Sequence, residues 1–119
     1  MKILIVDDSS TMRRIIANTL KQVGQETIVE AGDGVEGLAK LSANPDVQLI
    51  LSDWNMPNMN GLDFLVKVRE SNKTLPVIMV TTEAEKQNVV TAIKAGANNY
   101  IVKPFTPEVL QEKIGSFLK

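Results

Sequence analysis

Five short apolar runs punctuate the chain: Ile3-Leu4-Ile5-Val6, Thr27-Ile28-Val29, Leu49-Ile50-Leu51, Val77-Ile78-Met79-Val80 and Tyr100-Ile101-Val102. Most are continuous, not alternating, which is the pattern of strands buried on both faces of a parallel sheet. Between them the period becomes helical. Met12, Ile15, Ile16, Thr19, Leu20 and Val23 share one helical face, which Gly24 can end in the left-handed conformation. Val35, Leu38, Ala39 and Leu41 predict a short second helix closed before Pro45, and Leu62, Leu65, Val66 and Val68 a third. Val89, Val90, Ile93 and Ala97 predict a fourth, with Gly96 in the role of Gly24. The last, through Val109, Leu110, Ile114, Phe117 and Leu118, follows Thr106-Pro107, a cap residue and then proline at the first helical position.

Strand and helix thus alternate about every 25 residues, the spacing of βα units joined by right-handed crossovers. No linker or low-complexity tract interrupts them, so residues 1–119 are expected to form a single domain. The predicted fold class is α/β: a doubly wound, flavodoxin-like five-stranded parallel sheet of order 2-1-3-4-5, flanked by five helices. In such sheets ligands bind beyond the carboxyl ends of the strands, around the β1/β3 switch point.

Composition narrows the chemistry. The 119 residues include no cysteine and no histidine, which excludes His- and Cys-based triads, CxxC redox chemistry and nearly all zinc sites. Thirteen Lys+Arg against fourteen Asp+Glu give a net charge of -1, with no overall drive toward nucleic acid or anionic membrane. The Ile3–Val6 run is too short for a signal core or a membrane span. A soluble, cytoplasmic, monomeric protein is expected, with no nucleic-acid or membrane partner.

The acids fall where the fold rule wants a ligand. Asp7 and Asp8 follow the first strand and Asp53 the third, while Thr81 and Thr82 end the fourth and Lys103-Pro104 the fifth. Singly, each has an ordinary explanation. Asp8 with Ser9 and Ser10 can cap the next helix, Asp53 can be a turn acid ahead of Asn55, Pro57 and Gly61, and Thr81 or Thr82 can cap a helix near Ala84. Lys103 can be a solvated strand-end lysine and Tyr100 a packing residue. Their convergence on one rim favours a site. Three carboxylates without His or Cys suit Mg²⁺, an octahedral, oxygen-seeking ion that leaves positions for phosphate oxygens. An aspartate beside such a metal, with a lysine and a hydroxyl at hand, is equipped to attack phosphorus. Asp53, alone on its loop, is the expected nucleophile, and the Asp7-Asp8 pair suits the metal. Crowded acids also predict a strained site, in which asparagine at Asp7 or Asp8 stabilises the metal-free protein.

Four segments carry a family resemblance: Val6-Asp7-Asp8 with Ser10 to Ile15, Ser52-Asp53-Trp54-Asn55-Met56-Pro57 through Leu62, Val80-Thr81-Thr82-Glu83-Ala84-Glu85, and Ala95-Gly96-Ala97 through Lys103-Pro104-Phe105. The chain resembles response-regulator receiver domains, and within them the chemotaxis regulators of the CheY type. The resemblance implies a regulatory phospho-switch, not an enzyme acting on an external substrate, with Asp53 taking a phosphoryl group from a phosphohistidine of a partner kinase of the CheA type. It implies Mg²⁺ held by Asp8, Asp53 and the Asn55 carbonyl, with Asp7 acting partly through water. Thr81 and Lys103 would contact the phosphoryl group, Tyr100 would turn inward with Thr81, and Asn55 and Glu83 would tune the rate of phosphate loss. The resemblance also implies a cis Lys103-Pro104 bond.

The output implied is a surface of the fourth helix, fifth strand and fifth helix, roughly Glu83 to Phe117, that binds a flagellar motor-switch protein of the FliM type. Asn60 stands where chemotaxis relatives commonly have Asp, and Thr82 where a small Ala is common. Two other readings use the same acids. A phosphorelay intermediate or phosphate sink would differ only in its partner surface. A Mg²⁺-dependent phosphatase of the haloacid dehalogenase type needs a second acid two residues after the nucleophile, where Ser9 and Asn55 stand instead.

Overall fold

The computed structural model describes residues 1–22, 24, 27–82, 86–115 and 117. Strands β1 (Lys2–Val6), β2 (Thr27–Ala31), β3 (Leu49–Ser52), β4 (Val77–Thr81) and β5 (Asn99–Val102) alternate with helices α1 (Ser10–Gln22), α2 (Gly34–Ala43), α3 (Gly61–Ser71), α4 (Lys86–Lys94) and α5 (Pro107–Gly115). The sheet is parallel in the order β2-β1-β3-β4-β5, as the strand spacing predicts.

The continuous apolar runs owe their composition to burial on both faces. Ile3, Ile5, Leu49, Leu51, Ile78, Val80 and Ile101 pack against Ile16, Ala17 and Leu20 of α1 and Leu110 and Ile114 of α5. Their neighbours Leu4, Val6, Ile50, Val77, Met79 and Tyr100 face the other layer, built on Phe64, Leu65 and Val68 of α3, Ala92 of α4, and Leu38 and Leu41 of α2. Successive side chains on a strand alternate between faces, so the runs of the inner strands β1, β3 and β4 are apolar at nearly every position, whereas the edge strand β2 leaves Thr27 and Glu30 exposed.

The helix faces deviate from prediction in a consistent way. Ile15, Val35, Val66, Val90, Ile93 and Val109 are exposed, and Ala39 is too. Burial falls on Ala17, Gly37, Phe64 and Ala92 in the same helices. A residue at the edge of the stripe satisfies the period as well as one at its centre, so the period does not say which apolar side chain meets the sheet; Ala17, Gly37 and Ala92 let the backbone approach, and the bulky Phe64 packs against Gly37. Gly37 shows the reason, since a Cβ there would lie 2.8 Å from Phe64 Cε1. Val23 and Leu118 lie outside the described residues.

The punctuation behaves as read. Gly24 and Gly96 have φ of +87° and +114°, and the Gly24 N–H donates to the Lys21 carbonyl at 3.0 Å. Thr106 Oγ1 accepts from Val109 N at 3.2 Å ahead of Pro107, and Lys103-Pro104 is cis. Among the described residues no helix is long and apolar enough to cross a membrane.

Candidate functional site

Register delivers the site. Val6 pairs with Ser52, so Asp7 and Asp53 leave adjacent strands at one level, and the Asp53 N–H donates to the Val6 carbonyl at 2.8 Å. Val102 pairs with Thr81, and Lys103 continues from β5 with its N–H on the Thr81 carbonyl at 2.8 Å. Side-chain oxygens of Asp7, Asp8 and Asp53 all come within 4.8 Å of one another. Asp7 is 1% exposed and Asp53 8%, whereas Asp8 lies open to solvent.

The lysine is inside the cluster. Lys103 Nζ lies 2.7 Å from Asp7 Oδ2 and 3.3 Å from Asp53 Oδ2. Buried carboxylates cost several kcal/mol unless paired, and this one ammonium serves two of them. Burial pushes the Asp53 carboxyl above its ordinary range; Lys103 pulls it back, Asp7 pushes it further up, and hydrogen bonds from the Trp54 N–H and the Thr81 side chain lower it. The Trp54 N–H holds Asp53 Oδ1 at 2.7 Å, leaving Oδ2 toward the lysine.

The helix-cap explanation of Asp8 does not hold. Ser9 caps α1, its Oγ accepting from Met12 N at 3.1 Å, while Asp7 Oδ1 accepts from Ser9 N at 2.9 Å. Asp8 makes no side-chain hydrogen bond or ion pair among the described residues. Asp53 does bond locally at the start of the loop after β3, through Oδ1 to the Trp54 N–H, but its Oδ2 faces Lys103, so a turn role does not account for it. That loop is shaped by Asn60, whose side chain caps α3 by accepting from Asp63 N at 2.8 Å. Asn and Asp are equivalent caps, which accounts for the departure at this position. Thr81 is fully buried and bonded to Asp53, so it is no solvent-facing cap, while Thr82 is exposed.

Asn55 lies exposed on the β3–α3 loop, two residues past Asp53. Tyr100 is buried in the layer that holds Met79, Ala92 and Ala97. It pairs with Met79, and Thr81, two residues beyond Met79, faces the same layer by strand alternation. Glu83 lies outside the described residues.

Three supports escaped the sequence reading. Arg13 Nη1 donates to the Asp7 carbonyl at 2.6 Å, and its Nε donates to Glu30 at 3.0 Å. Asn58, at φ 66°, donates from Nδ2 to Asp33 Oδ2 at 2.7 Å, while the Gly34 N–H donates to the Met59 carbonyl at 3.2 Å. The loop carrying Trp54 and Asn55 is thereby pinned to the start of α2. Gly61 lets the same loop close over Asp53: its N–H donates to the Trp54 carbonyl at 2.7 Å, and a Cβ would overlap the Asp53 carbonyl oxygen. Of these residues only Gly61 entered the sequence reading as a turn residue; the Asp33–Asn58 pairing joins segments 25 residues apart and has no local signal.

Three oxygen-bearing acids with no nitrogen or sulfur donor fit a hard divalent cation. A lysine and a buried hydroxyl on the same carboxylate fit the oxygens of a phosphoryl group.

Comparison with known proteins agrees. The family model described as response regulator receiver domain matches residues 3–115. The chain is 61% identical over 116 residues to chemotaxis protein CheY1 of Helicobacter pylori, covering 96% of this chain and 94% of that one. It is 58% identical over 120 residues to a chemotaxis protein CheY homolog of Campylobacter jejuni, covering 99% and 92%. Among solved structures, Vibrio cholerae chemotaxis protein CheY4 superposes with a TM-score of 0.90 at 37% identity over 98% of both chains. The CheX-CheY-BeF3-Mg²⁺ complex from Borrelia burgdorferi gives 0.93 at 31% identity, covering 100% of this chain and 90% of that one. Receiver domains bind Mg²⁺ at an aspartate cluster, and Asp7, Asp8 and Asp53 form one here. The chain belongs to the response regulator receiver family, with chemotaxis CheY proteins as close relatives.

Proposed function

We propose that the protein is a phospho-switch of a two-component system in which Asp53 is the phosphoacceptor. The observation that carries the reading is the shared environment of its carboxylate: Lys103 Nζ at 3.3 Å, the Thr81 side chain bonded to it, and the Asp7 and Asp8 oxygens beside it.

In the reaction, an Asp53 carboxylate oxygen attacks the phosphorus of a phosphohistidine on a partner kinase of the CheA type. The O–P bond forms as the P–N bond breaks, and the nitrogen keeps the electron pair and takes a proton from solvent. With no histidine of its own, the chain needs that donor from another molecule or from a small phosphodonor. Asp8, Asp53 and the Asn55 carbonyl would hold Mg²⁺, with Asp7 acting partly through water. When bound, the ion offsets charge on the transferring group. Lys103 contributes a fixed positive charge at the same place. Its stronger contact with Asp7 keeps it within reach while leaving Asp53 the looser partner, the one that must move toward phosphorus.

Phosphorylation gives the Thr81 hydroxyl a new acceptor. Because Thr81 and Tyr100 face the same layer, displacement of one changes the space open to the other, a local packing event of the kind that switches use. The output surface is formed by α4, β5 and α5, where Val90, Ile93, Val102 and Val109 are all exposed apolar residues. Such residues on neighbouring elements suit a protein partner, here a flagellar motor-switch protein of the FliM type. Asn55 and Glu83 set the rate of phosphate loss. The 1–119 chain acts as one receiver unit in the cytoplasm, catalysing only its own phosphorylation and dephosphorylation.

The test combines two measurements. Incubation with acetyl phosphate and Mg²⁺ should yield an acyl phosphate that Asp53→Asn abolishes; an unchanged yield in that variant overturns the reading. A motor-switch peptide should bind more tightly with beryllofluoride and Mg²⁺ than without. Mimic-dependent binding of a histidine phosphotransfer domain in its place would assign a relay role.

A further inference from the structure

Asp8 is the site acid with least to hold it. Asp7 is fixed at four points: its N–H donates to the Ala31 carbonyl at 3.0 Å, Oδ1 accepts from Ser9 N at 2.9 Å, Oδ2 from Lys103 Nζ at 2.7 Å, and its carbonyl from Arg13 Nη1 at 2.6 Å. Asp8 has no side-chain partner among the described residues and is exposed. Its carboxylate is therefore aimed by its backbone, and the peptide unit that sets that backbone is the Asp7-Asp8 link. Arg13 donates to the oxygen of that peptide.

The guanidinium is itself held. Arg13 Nε pairs with Glu30 on β2 at 3.0 Å, and its side chain is only 20% exposed. The Arg13 N–H donates to the Ser9 carbonyl at 3.0 Å, placing the residue in the first turn of α1 after the Ser9 cap. Gly32 lies alongside, where even a Cβ would stand 3.8 Å from Nη1. Arg13 thus spans β2 and the β1–α1 turn with a planar fork, a geometry that a lysine cannot reproduce.

We propose that Arg13, anchored by Glu30, is a positioning residue for the metal acids: it fixes the Asp7-Asp8 peptide and so aims Asp8. The inference rests on the metal role of Asp8 proposed above. Groups that orient ligands without touching the metal are commonly worth tenfold or more in affinity. A simple charge argument predicts the opposite, since deleting a cation near a Mg²⁺ site should tighten binding.

The experiment titrates Mg²⁺ against Trp54 fluorescence in wild type, Arg13→Ala, Arg13→Lys, Glu30→Gln and Asp8→Asn, with urea midpoints for each. Wild type should respond and Asp8→Asn should not; if wild type gives no response, or Asp8→Asn responds fully, the metal reading fails and this inference with it. With that reading intact, Arg13→Ala and Arg13→Lys should each need about tenfold more Mg²⁺, and Glu30→Gln about threefold. Phosphorylation by acetyl phosphate at saturating Mg²⁺ should recover to within about twofold of wild type, because the defect lies in assembling the site. Unchanged or tighter Mg²⁺ binding in Arg13→Ala, or full affinity in Arg13→Lys, would overturn the positioning role alone. Should Arg13→Ala not fold, Arg13→Lys and Glu30→Gln decide the matter on the same criteria.

Discussion

Lys103 sits closer to Asp7 than to Asp53, at 2.7 Å against 3.3 Å, and this asymmetry divides the three acids into different energetic roles. Asp7 is the lysine's main partner and is buried. Asp53 shares the cation but keeps a net desolvation burden, and Asp8 has no such partner among the described residues.

The first prediction separates the acid pair. Asp7→Asn should destabilise the metal-free protein by about 1–3 kcal/mol, because a buried charged hydrogen bond is lost while Lys103 keeps only its longer contact. Asp8→Asn should raise the metal-free midpoint slightly by relieving repulsion. The expectation that either substitution stabilises therefore survives only for Asp8. Urea midpoints in EDTA check both; equal shifts of one sign would contradict the division.

Asp53 should carry a pH signature. Its folded pKa lies above the ordinary value, chiefly through burial, so the folded state holds that proton more tightly than the unfolded one. The resulting stabilisation is complete below the unfolded value and is lost as pH rises through the folded one. Asp53→Asn should therefore be more stable than wild type at neutral pH without metal, with the gain shrinking as pH falls toward about 4. A gain independent of pH would show that charge is not its source.

Trp54 should report the site. Its N–H donates to Asp53 Oδ1 at 2.7 Å, and it is the only tryptophan in the chain. Millimolar Mg²⁺ should change its emission in wild type, and beryllofluoride with Mg²⁺ should change it further. In Asp53→Asn the second change should vanish, and its persistence would place the mimic elsewhere.

Gly61 is predicted to be intolerant of any side chain. Even the alanine methyl would overlap the Asp53 carbonyl oxygen and come within 2.8 Å of Met79 Cε. Gly61→Ala should cost about 3 kcal/mol and, by displacing the Asp53 backbone, slow phosphorylation at saturating Mg²⁺ by about tenfold or more. Wild-type stability together with a wild-type rate would mean that the loop relaxes freely.

The sequence by itself determined the strands, their order and the rim on which the polar groups meet. Continuous apolar runs at βα spacing admit few arrangements, and the strand-end residues Asp7, Asp53, Thr81 and Lys103 can be read off once those runs are placed. Gly24, Gly96 and Thr106-Pro107 were legible for the same reason: their local geometry depends on their own φ or hydroxyl. Only the tertiary structure decided pairings between distant segments. That Lys103 prefers Asp7, that Ser9 rather than Asp8 caps α1, that Arg13 grips the Asp7-Asp8 peptide, and that burial goes to Phe64 and Ala92 rather than to Val66 and Val90 all depend on how closely two backbones approach. Periodicity fixes which stripe of a helix is apolar, but the angle at which that stripe meets the sheet is set by the packed volumes of both partners, and a linear pattern carries no such distance.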